Sequence, residues 1–205
     1  MEMGGLVEQQ LERGARALIN HDIELAQSMR PTEDQINKME VDLDEQCVQI
    51  IARRQPTASD LRTLISVMRA ITDLERIGDE ANRIAHMAQG MAREELPDDQ
   101  YGAFRELNTL VARQLASALD AFARLDEKLA TDVIQGDEVI DNLYRNIIST
   151  LKVSMAHNPN HINRSMNVIW AARALERIGD HAKNLGEYVV YRVKGEDVRH
   201  SPING

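Results

Sequence analysis

Apolar residues recur at three- and four-residue steps along most of the chain. Phe104, Leu107, Val111, Leu115, Ala118, Phe122, Leu125 and Leu129 trace one such stripe, and Ile36, Met39, Leu43, Cys47 and Ile50 trace another. This is the spacing of one helix face, and no run alternates as a strand would with turn chemistry at both ends. The prolines at 31, 56, 97, 159 and 202 all fall between periodic segments, as helices require. Capping signals accompany them. Thr32 precedes Gln35 by a capping-box spacing, Thr57 with Asp60 follows Pro56, Asp98 and Asp99 follow Pro97, and Asn158 precedes Pro159. The longest proline-free stretch is expected to break at Gly136, with Asp137 as the next cap. These signals predict an all-α fold of six helices, near 4–28, 32–54, 57–90, 99–134, 137–156 and 160–192. Residues 195–205 lack periodicity and read as a loose tail.

The strongest feature is an internal duplication. Leu74-Glu75-Arg76-Ile77-Gly78-Asp79 recurs unchanged as Leu175-Glu176-Arg177-Ile178-Gly179-Asp180, and Leu61, Met68 and Ala70 correspond to Ile162, Ile169 and Ala171. Earlier, Glu33-x-x-Ile36-Asn37 resembles Asp137-x-x-Ile140-Asp141. Repeats of this kind are supersecondary units that gain by packing on one another. The expectation is two tandem three-helix bundles, at 1–96 and 97–194.

Composition narrows the function. A chain of 205 residues can bury a sizeable core without disulfide staples. The formal net charge of −9 and an aromatic content of 3% argue against a nucleic-acid partner, since phosphates are repelled and no stacking platform exists. The single Cys47 cannot form an internal disulfide, and its helical spacing reads as a buried structural thiol. There is no run of 18 apolar residues and no secretory signal pattern, so a cytoplasmic protein without membrane insertion is expected.

The repeated hexapeptide carries the candidate chemistry. Glycine inside a helix costs about 1 kcal/mol relative to alanine. Gly78 and Gly179 are therefore expected to admit a close neighbour in each half. In the third helix a flank that begins with Leu61, Ile65 and Met68 turns into Glu75, Asp79, Asn82 and His86. In the sixth, Ile162, Met166 and Ile169 give way to Glu176, Asp180 and Glu187. Carboxylates at i and i+4 share a face and repel unless neutralised. Arginines are one neutraliser, with Arg62, Arg69, Arg76 and Arg83 recurring every seven residues and Arg177 matching Arg76. Divalent or iron cations are the other, since oxygen ligands suit them. Asp137 and Asp141 are expected to face Glu176 and Asp180. Glu33, Asn37 and Glu40 are placed opposite Glu75 and Asp79, and the asparagine makes that half the poorer cation site. The histidines at 86, 157, 161 and 181 stand alone, and Trp170 is read as packing. No Glu-x-x-His, phosphate loop, zinc spacing or nucleophile elbow occurs. The residues thus show no nucleophile, base and orienting group at a supportable spacing, so no intrinsic catalysis is expected; the alternative is a metal-dependent carboxylate enzyme.

The twin Leu-Glu-Arg-Ile-Gly-Asp segments, the stretch from Ile50 to Arg62 that contains Ala52-Arg53-Arg54-Gln55-Pro56, and Met3-Gly4-Gly5-x-Val7-Glu8-Gln9-Gln10 resemble the PhoU family of bacterial phosphate-transport accessory proteins. The likeness runs to about His200. Family members usually carry a further N-terminal stretch, so the first helix is expected to continue upstream in a longer native chain. The resemblance implies two three-helix bundles, often in a homodimer. It implies a negative regulator of the phosphate-starvation response with two partners, the ATPase subunit of the phosphate ABC transporter and a PhoR-type sensor histidine kinase. It also implies cation binding in some members at Glu/Asp-x-x-x-Asp faces. By position these are Glu75 with Asp79, Glu176 with Asp180, and Asp137 with Asp141, whereas Glu33 with Asn37 departs from the all-acid form.

Overall fold

The computed structural model describes residues 1–90, 98–195 and 198. Its elements are α1 (Glu2–Asn20), α2 (Ile23–Gln27), α3 (Arg30–Arg54), α4 (Ala58–Gly90), α5 (Asp98–Arg124), α6 (Glu127–His157) and α7 (Ile162–Lys194), with one turn of 3-10 helix at Pro159–His161. The described residues contain no strand, in keeping with the all-α expectation. Helices α3, α4, α7 and α6 lie side by side in that order, and α1 and α5 cover the back of α4 and α7. Buried residues from α1 to α7 join one continuous apolar cluster that includes Leu11, Leu18, Ile36, Ile77, Ile84, Phe104, Leu107, Leu115, Leu175 and Ile178. Each such side chain contributes about 1.5–3 kcal/mol by leaving water. The expected junction at Pro97 and most of the expected tail lie outside the described residues.

Two predicted boundaries are corrected. The first helix stops at Asn20 rather than near residue 28, because His21 adopts a left-handed conformation and Asp22 starts α2 by accepting from the Leu25 amide. The break expected at Gly136 lies instead at Leu125, also left-handed, followed by Asp126, which accepts from the Leu129 amide. Asp137 is therefore mid-helix and caps nothing. These two caps are related by an offset of 104, so the duplication reaches local backbone geometry that the sequence identities do not mark. Asp-x-x-Leu at both places was the available signal, a side-chain oxygen placed to satisfy an orphan amide. Thr32 likewise lies inside α3, whose N-cap is Met29, with Pro31 in the first turn. Leu125 and Ile50 leave their predicted stripes for solvent, whereas Cys47 is buried as expected.

The repeated glycines admit close neighbours. A β-carbon on Gly78 would come within 3.3 Å of Ile36, and one on Gly179 within 3.1 Å of Gln114 and 3.3 Å of Ile140. Ile36 and Ile140 are themselves repeat equivalents, so α3 crosses α4 as α6 crosses α7. Gln10 and Gln114 repeat too, donating to the carbonyls of Met29 and Val133 respectively.

The halves meet along α4 and α7, which run antiparallel. Asp73, in a buried row between Ala70 and Ile77, accepts from His181 Nδ1 at 2.6 Å, Tyr188 Oη at 2.7 Å and Asn184 Nδ2 at 3.2 Å. Nearby, Glu80 Oε1 receives Arg177 at 2.7 Å and Arg83 at 2.9 Å. Sequence reasoning missed this clasp, since Asp73 has only Ala174 as its repeat counterpart and His181 read as a singleton. The usable signal was an acid within an apolar helical row, which needs partners to be buried.

Two outcomes follow for stability. Gly136 faces open space whereas a β-carbon at Gly14 would sit 2.5 Å from the Ala81 carbonyl oxygen. Gly136→Ala should thus stabilise by about 0.5–1 kcal/mol, and Gly14→Ala should destabilise by about 1–3 kcal/mol, both read from urea midpoints. Asp73→Ala removes the buried carboxylate on which His181, Asn184 and Tyr188 converge and should destabilise by about 2–4 kcal/mol; a loss under 0.5 kcal/mol would show that the clasp does not join the halves.

Candidate functional site

The predicted acidic residues form two ledges, each at the groove between an outer helix and a central one. In the second half, Glu176 and Asp180 on α7 face Asp137 and Asp141 on α6. The packing that brings them together is the crossing at Gly179 and Ile140, one residue from each acidic pair. The electrostatics record the proximity. Burial, then Asp180, Asp141 and Asp137 working against Arg173, pushes the Glu176 carboxyl from the usual 4.5 up to about 7. Asp180 is raised by burial and by the charges of Asp137 and Asp141, with Lys183 and His181 opposing. The shared ledge expected from the repeat is present.

Its members differ in how they are satisfied. Asp137, 4% exposed, accepts from Lys183 Nζ at 2.9 Å and from Gln114 Nε2 at 3.4 Å. Burial pulls the Lys183 ammonium down, but the hydrogen bond and charge of Asp137 outweigh it, and its pKa rises. Glu176 gives one oxygen to Arg173, while its other oxygen, Oε2, is buried without a hydrogen-bond partner. A carboxylate left so is unfavourable, and protonation or an external cation relieves it. Of the neutralisers considered from the sequence, arginine acts here, but as Arg173 rather than the expected Arg177, which goes to Glu80; Lys183, not foreseen, joins it, and one acceptor stays unused.

In the first half, Glu75 is raised by burial, then by Asp79 and Glu40, with Arg76 and His181 opposing. Burial, Asp44 and Asp79 raise Glu40, with Arg76 opposing. Glu40 on α3 thus joins Glu75 and Asp79 on α4, together with Asp44, which the sequence reading passed over. Glu33 is half-buried and Asn37 exposed, and among the described residues no hydrogen bond or ion pair ties either to the ledge. Among the described residues, no three His, Cys, Asp or Glu side chains converge closely enough to hold a metal ion as they stand. The donors of the second ledge are of the right class for hard cations, but they would have to rotate inward together to hold one.

The raised Glu176 carboxyl has a stability consequence with a definite sign. The folded state binds this proton more tightly than the unfolded chain, so the group's contribution is retained below about 4.5 and lost as pH rises towards about 7. Glu176→Gln removes that loss. Its melting temperature should exceed that of the unmodified protein at pH 8 by about 2–4 °C, with the gap closing near pH 4.5; a gap that does not vary with pH would contradict the assignment.

The comparisons with known proteins agree with this architecture. The family model described as the PhoU domain matches residues 1–88 and 104–189. A Pseudomonas aeruginosa phosphate-specific transport system accessory protein PhoU homolog is 48% identical over 200 residues, covering 98% of this chain and 83% of its own. The Escherichia coli phosphate-specific transport system accessory protein PhoU is 39% identical over 201 residues, with 98% and 83% coverage. The crystal structure of PhoU from Pseudomonas aeruginosa superposes with a TM-score of 0.92 at 47% identity, covering 95% of this chain and 93% of that one. That of the phosphate transport system regulatory protein PhoU from Streptococcus pneumoniae gives 0.87 at 28% identity, with 96% and 92% coverage. With a duplicated three-helix pattern, twin acidic ledges and these near-complete matches, the chain belongs to the PhoU family.

Proposed function

We propose that this protein is a non-enzymatic cytoplasmic regulator of the phosphate-starvation response that docks on two partners, the ATPase subunit of a phosphate ABC transporter and a PhoR-type sensor histidine kinase, and that it works as a homodimer. The observation that carries the reading is the similarity to phosphate-specific transport system accessory proteins over 98% of the chain. A phosphate-specific transport system provides the setting for both partners. Among the described residues no helix is long and apolar enough to cross a membrane, which fits a part that visits membrane complexes from one side. Regulation by docking acts through differential affinity: the protein shifts the kinase only by binding one of its conformations more tightly. High phosphate would favour the bound conformation that keeps the response regulator unphosphorylated.

The acidic ledges add a cation to this reading. Glu176, Asp180, Asp137 and Asp141 would hold a divalent or iron cation in the second half. Bound there, the cation supplies charge neutralisation and fixes α6 against α7. The buried, unpartnered Glu176 Oε2 supports the assignment. Glu75, Asp79 and Glu40 form the weaker counterpart, and Glu33 and Asn37 would join it only by a side-chain rearrangement.

Two experiments test these statements. Tagged protein should co-purify with the transporter ATPase and the sensor kinase in an amount that changes with phosphate supply; recovery of neither partner under either condition would overturn the docking role. Elemental analysis after mild purification should find metal that Glu176→Gln/Asp180→Asn reduces at least fivefold. Equal, negligible metal in both preparations would leave the ledge neutralised by Arg173, Lys183 and protons alone.

A further inference from the structure

Trp170, expected to be packing, is 55% exposed, and Val139 on α6 is 56% exposed. Around Trp170 the arginines are already engaged, Arg173 with Glu176 and Arg177 with Glu80. Around Val139 the charges are unspent. Leu110, Arg113 and Ser117 of α5 face Leu129, Asp132 and Gly136 of α6 across a groove that holds a cavity of about 270 Å³. Arg113 and Asp132 stand exposed at its two sides, and among the described residues no hydrogen bond or ion pair engages either. A β-carbon at Gly136 would meet nothing within 4 Å.

The other copy of the repeat closes the same groove. Arg13 stands there in place of Ser117 and Ser28 in place of Asp132, and the Arg13 guanidinium donates to Ser28 Oγ at 2.7 Å and to the Ser28 carbonyl at 3.3 Å. Thr32 and Gln35 hold the places of Gly136 and Val139. The first copy thus presents polar side chains where the second presents bare backbone and an exposed valine. A feature confined to one copy is not demanded by the scaffold that both copies share.

We infer that the outer face of α5 and α6 is where two copies of this chain meet. The inference rests on the homodimer reading and names its face. Gln114 of α5 reaches Val133 and Asp137 of α6. In this antiparallel hairpin that sets Leu110 level with Val139, Arg113 with Gly136 and Ser117 with Asp132. Positions equally far on either side of one point exchange places under a two-fold rotation. With the axis beside residue 134, the rotation lays Arg113 over the partner subunit's Asp132 and Leu110 over the partner subunit's Leu129. Gly136 then meets the partner subunit's Ser117. Both unspent charges are paired, the leucines are covered, and two small residues let the helices approach. The area also suffices. Helices of 27 and 31 residues, about 40 Å long and together about 20 Å wide, present about 800 Å², one partner's share of a standard interface. On a chain of net charge −9, the exposed side chains of these helices between residues 105 and 153 carry nearly equal numbers of cations and carboxylates. Two acidic copies can therefore meet there without a like-charge penalty.

Sedimentation equilibrium of the intact chain tests this, with far-ultraviolet circular dichroism confirming that each variant keeps its helices. Twice the monomer mass is expected. Gly136→Gln puts a long side chain where its own subunit leaves open space, so it should fold normally yet raise the dissociation constant at least tenfold. Arg113→Glu and Asp132→Arg each set like charges across the axis and should also raise it at least tenfold. Arg113→Glu/Asp132→Arg restores opposite charges and should return it to within threefold of the unmodified value. Lys38→Glu, at an exposed position of α3, should leave it unchanged. A dimer indifferent to the Gly136, Arg113 and Asp132 variants, or a double exchange no better than the single ones, would overturn this face while sparing the homodimer. A monomer at every concentration would overturn both, and neither result touches the docking on the transporter ATPase and the kinase.

Discussion

Carboxylates placed between packed helices govern this structure, and what differs from one to the next is how completely each is satisfied. Asp73 and Glu80 are buried at the α4–α7 seam, where water cannot solvate them, and they persist because His181, Asn184, Tyr188, Arg83 and Arg177 surround them. Removing one partner from such an arrangement is far more damaging than never having built it. The seam is thereby specified as well as stabilised, since a slip of one turn would strand both acids. Asp137 is satisfied in the same way by Lys183 and Gln114. Glu176 is satisfied by half, and the unfinished half is where ligand chemistry becomes available.

This gradation explains why duplication produced similar scaffolds and dissimilar sites. The scaffold terms are shared: left-handed residues at His21 and Leu125, aspartate caps at 22 and 126, isoleucines at 36 and 140 against the hexapeptide glycines. Packing and capping tolerate few alternatives, so both copies keep them. The polar terms have drifted. Asn82, where the second half has Lys183, meets Gln10 rather than an acid, and Glu40 with Asp44 supplies the charge that Asp141 supplies in the other half. In the second ledge lysine and glutamine thus meet Asp137 alone, and the first ledge has no lysine at the matching position.

Much of this was legible in the residues. Periodicity and proline placement gave the helical class, the twin hexapeptides exposed the duplication, and i, i+4 acids on an otherwise apolar flank marked both ledges. The break at Leu125 was not legible as glycine chemistry, because helix interiors tolerate a glycine such as Gly136 where no neighbour competes, and the real signal was an aspartate cap. Asp73 was hidden because partners over a hundred residues away decide whether an acid in an apolar row is an error or a clasp. Trp170 misled for the opposite reason: its helical spacing is compatible with a core, and only the three-dimensional arrangement shows that α4 and α7 turn that face outward.

Glu176 is crowded by Asp180, Asp141 and Asp137 in a poorly solvated groove, and the chemistry of the ledge depends on that crowding. The most direct measurement is the pH titration of its side-chain carboxyl carbon by NMR, in metal-free protein. A midpoint near 7 is expected, falling towards the ordinary range when Asp180 and Asp141 are changed to asparagine. A midpoint near 4.5 in the unmodified protein would contradict it.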